Sequence, residues 1–164
     1  LYAGGVSYKG GQGLRTTRVP YPPFEFVGVG NVASAVGARA GSVSVSPERL
    51  LEWDPRFLFC SAQNLPLVRD DLARRPELRS LSAVQQGRSF ALLPVSHYHE
   101  NVGSMLVDAF SVAQVVAPDA AGGPSLGTTA DRIYRSLLGS SPFEEIRREL
   151  GAFERVDLTR EGGA

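Results

Sequence analysis

Both histidines of the chain fall in the stretch Val95-Ser96-His97-Tyr98-His99-Glu100-Asn101, which is the segment best equipped for chemistry. Spaced two apart, His97 and His99 would share one side of an extended segment. Two imidazoles beside a carboxylate suit a transition metal, although a well-formed site has three or four ligands in fixed geometry. The same side chains suit direct or hydrogen-bonding contact with a bound molecule, and an ordinary polar loop would carry them equally well. Ser96 beside His97 is the nearest approach to a nucleophile with its base. No glycine elbow frames that serine, and no carboxylate is placed to orient a histidine.

A second cluster opens the chain. Gly4 to Gly13 contains five glycines, which let backbone N–H groups approach a ligand closely, and Tyr8, Lys9, Gln12 and Arg15 lie along or just after it. A phosphate loop would need Gly-Lys-Ser/Thr where Gly10-Gly11-Gln12 stands, and a dinucleotide fingerprint would need glycine at Thr16. Two readings remain: a flexible loop tip, or a ligand wall at the carboxyl end of a strand, where open α/β sheets bind.

These residues need a scaffold, and composition bounds it. The chain has 164 residues, enough for one core, and one domain is the default. Lys and Arg number 17, as do Asp and Glu, and no basic run is present; that balance argues against a nucleic-acid partner. No stretch reaches the roughly 18 apolar residues of a membrane span. The start, LYAGGVSYKG, lacks both a signal-peptide pattern and an initiator Met, which reads as a mature form or an excised piece. Cys60 is the single cysteine, so an internal disulfide is excluded, and its apolar setting marks it as a buried small hydrophobe.

The middle of the chain carries the clearest structural signals. Ser46-Pro47-Glu48 predicts a helix start: a capping hydroxyl, a proline at N1, and a carboxylate near the positive dipole end. Asp54-Pro55 predicts its stop. Phe57 to Cys60 is then a continuous apolar run of strand length, expected to be buried on both faces. A parallel partner strand is expected over Ser89 to Leu93, ended by Pro94. A mostly helical crossover from Leu65 to about Ala83 would join them, its charges on a solvated face.

Around this unit, Leu1 to Val6 reads as a first strand that begins with no element leading into it. Pro20, Pro22 and Pro23 are expected to keep the chain extended. Asn31 to Val36 reads as a short helix capped by Asn31, and Gly41 to Val45 as an extended segment. Val102, Met105, Leu106, Ala109, Phe110, Ala113 and Val116 predict a helix with one apolar face. After a Gly/Pro-rich loop over Ala120 to Thr128, Asp131 to Leu138 reads as an amphipathic helix with Ile133, Tyr134, Leu137 and Leu138 inward. Ser141-Pro142-Phe143-Glu144 reads as a capping box opening a last helix to Leu150. From Thr159 the tail is expected to fray.

The fold class that follows is α/β: a three-layer, Rossmann-like lobe with a mainly parallel central sheet flanked by helices. Residues 46 to 59 and 83 to 94 together resemble the C-terminal lobe of periplasmic substrate-binding proteins that serve ABC importers for iron-siderophore complexes, haem and cobalamin. The shared features are the Ser-x-Glu-x-Leu helix start at Ser46 to Leu50, the Asp-Pro helix end before an apolar strand, and an Ala-Val-x-x-Gly-Arg segment leading to a strand that ends in Leu-Pro. The opening GGVSYKGGQG and the PYPPFEFVGVGNVA stretch resemble a subgroup of iron-complex binding proteins.

That resemblance implies a two-lobed protein with the ligand between lobes. Residues 1–158 would be the ligand-binding C-terminal lobe, with an N-terminal lobe absent, and 159–164 the frayed tail. It assigns Glu48 to contact with arginines of an inner-membrane ABC permease; complementing the helix dipole would explain the same glutamate. Cleft residues would be Tyr8, Lys9, Gln12, Gln63, Asn64, His97, Tyr98, His99 and Asn101, with Arg15 beside them and with His97 and His99 as candidate metal ligands.

The expected cargo is a small-molecule metal chelate such as an iron-siderophore, haem or cobalamin, with no catalytic cofactor. The expected place is the periplasm, or the outer face of a membrane as an anchored lipoprotein. A sensor or regulatory module of the same fold is the alternative. A Rossmann-like enzyme domain stands behind both, since no nucleophile with base, metal triad or phosphate loop is complete.

Overall fold

A computed structural model of the chain describes residues 1–6, 13–37, 41–97 and 99–160; of Ser96, His97 and His99 it describes the backbone alone. Its centre is a three-stranded parallel sheet in the order β1 (Tyr2–Gly4), β4 (Leu58–Ser61), β5 (Ser89–Leu92). The first strand is shorter than the sequence pattern suggests, because Gly5, at φ 66°, turns the chain out of the sheet. Between β1 and β4 come β2 (Thr16–Val19), α1 (Pro22–Phe26), a 3-10 turn at Val32–Val36, β3 (Gly41–Ser44) and α2 (Pro47–Trp53). Strands β2 and β3 form their own antiparallel pair.

The central strand is buried along its length, as expected of a strand with neighbours on both sides. Its side chains alternate. Leu58 and Cys60 face a core shared with Tyr2, Leu50, Leu72 and Leu78, while Phe59 faces another shared with Ala3, Phe24, Leu92 and Met105. The first core is closed by α2, by α3 (Leu65–Arg74), by a 3-10 turn at Pro76–Ser80 and by α4 (Ser82–Gln85). The second is closed by α1 and by α5 (Val102–Val116), giving three layers with helices on both faces of the sheet. Burial pushes the Cys60 thiol up to about 12, in keeping with a residue that packs and does not react.

Local chemistry explains the helix ends. The Ser46 hydroxyl accepts the Arg49 N–H at 3.2 Å, and Pro47 occupies the first turn, where its missing donor costs nothing. Asp54 ends α2 in the left-handed region at φ 34°, and its carboxylate accepts the Ser82 N–H at 2.8 Å, capping α4 from across the layer. Asn31 caps its 3-10 turn by accepting the Ala33 N–H at 3.1 Å.

Several expectations are corrected. Pro22 and Pro23 do not keep the chain extended; they form the first turn of α1, where proline's fixed φ favours helix, and they set Phe24 against Tyr21 and Phe59. Helix α6 (Leu126–Leu138) starts well before Asp131, because Ser125 accepts the Thr128 N–H at 3.2 Å. Of its expected inward residues, Tyr134 is buried, but Leu137 is 50% and Leu138 62% exposed. The capping box before α7 (Phe143–Leu150) does not form: the Ser141 hydroxyl bonds Asp131 and lies 3.5 Å from the Phe143 N–H.

The apolar face assigned to α5 is also revised. Val102 is 53% exposed and Leu106 37% exposed, whereas Ser104, Asp108 and Ser111 are buried. This helix lies between the sheet and α6, so a polar stripe turns inward wherever a partner waits for it. After α7 the chain returns to the sheet: Phe153 and Val156 donate to Ala91 and Ser89, and Ala91 donates to Glu154, covering the free edge of β5. Thr159 is tied to Asp157 by its N–H at 2.9 Å.

Leu58→Ala, at a site fully buried in the central strand, is expected to cost about 2–5 kcal/mol in urea unfolding. Leu138→Ala, on the exposed side of α6, should cost less than about 0.5 kcal/mol by the same measurement. Equal effects would mean that β4 is not the centre of the core.

Candidate functional site

Because β1, β4 and β5 are parallel, the segments leaving them emerge on one edge, with Gly4 level with Cys60 and Ser61 level with Leu92. Beyond β1, Gly5 turns away; beyond β4 a 3-10 turn at Ala62–Asn64 presents Gln63 to solvent. Asn64 ties the two together, its Nδ2 donating to the Gly5 carbonyl at 2.7 Å. Beyond β5, Pro94 and Val95 lead into the short strands β6 (Ser96–His97) and β7 (His99–Glu100), which pair antiparallel with His97 opposite His99. The two histidines therefore do not follow one another along a straight segment as expected; the chain reverses between them.

This hairpin is held at its base from three directions. The Asn101 N–H donates to the Val95 carbonyl at 3.0 Å, closing the loop, and its Oδ1 accepts the Ser104 N–H at 3.1 Å, capping α5. Glu100 pairs with Arg18 of β2. Just before the hairpin, the Leu93 N–H donates to Asp108 Oδ1 at 2.9 Å. Strand β2, helix α5 and the end of β5 thus fix one loop that the sequence marked as chemically equipped.

The structure brings Gln63, Asn64, His97, His99 and Asn101 to the strand-end segments on this edge. Asn101 spends its carbonyl oxygen on the helix cap, so its side chain has only amide N–H donors beyond that bond. Tyr8, Lys9, Gln12 and Tyr98 lie outside the described residues. Arg15 lies elsewhere: its Nε is 4.0 Å from Asp71 of α3, whose other oxygen takes Arg75 at 3.0 Å. Glu48 stands fully exposed in the first turn of α2. Its own N–H and the Ser46 hydroxyl hold its carboxyl below the usual range, with Arg15 and Arg75 adding to the effect.

Two residues in this region carry unspent polar capacity. Arg18 gives one guanidinium nitrogen to Glu100, while its buried Nη1 has no hydrogen-bond partner among the described residues. Asp108 is fully buried; it holds Leu93 through Oδ1, and its Oδ2 has no partner among the described residues. Burial pushes its carboxyl well above the usual range, against a smaller opposing effect of the Leu93 hydrogen bond. Tyr21 and Tyr134 face the same carboxyl, and both phenols are also raised, chiefly by burial.

Reading the sequence missed Arg18 and Asp108, and it took Glu100 only as a carboxylate beside the histidines. Glu100 adjoins His99 but its partner is far along the chain, and Arg18 sits among prolines and threonines with nothing to single it out. Asp108 did leave a signal: it is the one acidic residue of α5, and Ser104 and Ser111 lie four before and three after it, on one helical face.

Chemically, this edge can offer hydrogen-bond donors and acceptors, two imidazole-bearing positions and a guanidinium. Among the described residues, no group of three His, Cys, Asp or Glu is clustered as a metal site. None of the described helices is long and apolar enough to cross a membrane.

No protein-family model matches the chain, and no curated protein matches it in sequence. Its fold is similar to that of a solved periplasmic solute-binding protein from Veillonella parvula DSM 2008, with a TM-score of 0.56 and 17% identity. The likeness takes in 79% of this chain and 40% of that one, so this chain spans well under half of that protein's length. At this identity the likeness is one of fold.

The buried acid generates a pH prediction. Below the ordinary carboxylate range, Asp108 is protonated in both folded and unfolded chains. As pH rises the unfolded chain ionises first, so stability falls until the raised folded-state pKa is passed. Asp108→Asn removes this linkage while leaving an amide that can still accept from Leu93. Its melting temperature, compared with that of the unaltered protein, should therefore gain as pH rises upward from the ordinary carboxylate range. A relative loss over that range would mean that the carboxyl is ionised and paired.

Proposed function

We propose that this chain is a ligand-binding lobe of an extracytoplasmic solute-binding protein. The lobe takes its solute at the carboxyl edge of the parallel sheet, against a second lobe, and passes it to an ABC permease. The observation that carries the reading is the convergence of three strand-end segments on one edge, tied by Asn64 to Gly5 and by Arg18 to Glu100. Its support from outside the chain is the shared fold with a solute-binding protein of more than twice the matched length. Such a protein binds by enclosing its ligand between lobes, so one lobe supplies half of the contacts.

In this reading the solute is an iron-siderophore, haem or cobalamin. Gln63, Asn64, Asn101 and the hairpin bearing His97 and His99 supply polar contacts, and Tyr8, Lys9, Gln12 and Tyr98 are further candidates. The histidines contact the chelate or its metal, which is cargo. No bond is made or broken in the solute, and the chain is no enzyme. Residues 1–158 form the lobe, and Glu48 is the docking point for permease arginines, favoured by its full exposure.

The test joins this chain to its second lobe and titrates ferric siderophores, haem and cobalamin, following emission from Trp53 and the melting temperature. One class should give a saturable change, with stabilisation of about 2.7 kcal/mol at a hundredfold excess over Kd. No saturable response to any of the three by the folded two-lobed protein would remove this cargo assignment. Glu48→Ala should leave ligand affinity unchanged and slow association with the permease on the order of tenfold at low salt. Loss of ligand affinity in that variant would place Glu48 in the cleft instead.

A further inference from the structure

Away from the strand-end segments, an apolar groove of about 640 Å³ runs between α5 and α6. Leu106 and Phe110 of α5 wall one side, and Ile133 and Leu137 of α6 the other, with Arg132 and Ser136 at the rim. Leu106 is 37% and Leu137 50% exposed. These leucines, open to water and brought together in one concavity, give the groove its apolar lining. Along α6 the groove follows two turns of helix, about 12 Å of rise.

The charge of the lining selects the occupant. The groove holds one cation and no carboxylate. Arg132 has no ion pair or hydrogen bond among the described residues, since its neighbour Asp131 is engaged by the Ser141 hydroxyl. Asp108, the one acidic residue of α5, lies about 200° round that helix from both Leu106 and Phe110 and is fully buried. A second copy of this chain presenting the same groove would bring Arg132 to a lining with no acid to receive it. An anion attached to an apolar body fits both features.

We infer that the α5–α6 groove is a second binding site, for a small anionic amphiphile. Its apolar body lies on Leu106, Phe110, Ile133 and Leu137, and its acid group on the Arg132 guanidinium. Volume and lining match small-molecule sites, which are mostly apolar with a few placed polar groups. A guanidinium receives a carboxylate or sulfonate through two parallel N–H donors and stays charged at every relevant pH. This site is independent of the solute-binding reading, since it shares none of the candidate cleft residues.

The test uses 8-anilinonaphthalene-1-sulfonate as the reporting probe, decanoate as competitor and decyltrimethylammonium as the charge-reversed control. The unaltered chain should bind the probe saturably, release it to decanoate and keep it against the cationic control. Arg132→Gln should weaken decanoate by about tenfold, the equivalent of one charge-assisted hydrogen bond, and Leu137→Asp should abolish binding. Both side chains are at the surface, so circular dichroism and melting should stay those of the unaltered protein and report any failure to fold. Three results would overturn the inference. They are no saturable probe binding by the unaltered chain, decanoate affinity within about twofold in Arg132→Gln, and a concentration-dependent dimer that Leu137→Asp dissolves.

Discussion

Leu58, Phe59 and Cys60 point alternately to opposite faces of a short strand that has a parallel neighbour on each side. A strand in that position can leave no side chain to water, and the cores on the two faces of the sheet are built outward from it. The faces differ in kind. One is aliphatic and covered by the short helical pieces between β4 and β5; the other is aromatic, with Phe59 in contact with Phe24, Phe57 and Phe90. Parallel pairing on both sides also forces every crossover to begin at one edge. The gathering of β1, β4 and β5 termini there is thus a consequence of burying the central strand.

What lies just beyond that edge is held by polar groups inside the fold. Asp108 anchors the end of β5, Asn101 closes the following hairpin, and Arg18 reaches it from β2. Ser104, bonded to Tyr134, continues the polar stripe towards α6. Burying an acid is costly unless it gives up its charge, and burial accordingly shifts the Asp108 carboxyl towards its protonated form. The layer between sheet and α6 therefore trades some packing energy for a defined loop position. Anchored in this way, the backbone of the loop is held at a defined place relative to Asn64 and Gly5.

The helices on the same side divide their surfaces between two tasks. The inner aspect of α5 contributes Met105 and Val112 to the sheet core and Val107 to the contact with α6 and α7. Its outer aspect, with Leu106 and Phe110, remains open beside Leu137. Amphipathic patterning alone would have turned those apolar residues inward. The polar stripe takes the inward positions because Leu93 and Tyr134 offer it hydrogen bonds there.

Short-range chemistry by itself determined much of this protein. The Ser46 cap with Pro47, the apolar run at Phe57 to Cys60, the Asn31 turn and the α/β order all follow from interactions within a few residues, and these appear in the fold as expected. Where the reading failed, local rules were in balance. Pro22 and Pro23 are as acceptable in a first helical turn as in an extended run, and Phe24's place against Phe59 decided between them. Tertiary structure alone decided which face of α5 is buried, that Leu137 and Leu138 point outward, that His97 meets His99 across a hairpin, and that Arg18 finds Glu100. Each of these depends on a partner distant in sequence, whose position is set only once the sheet has been packed on both sides.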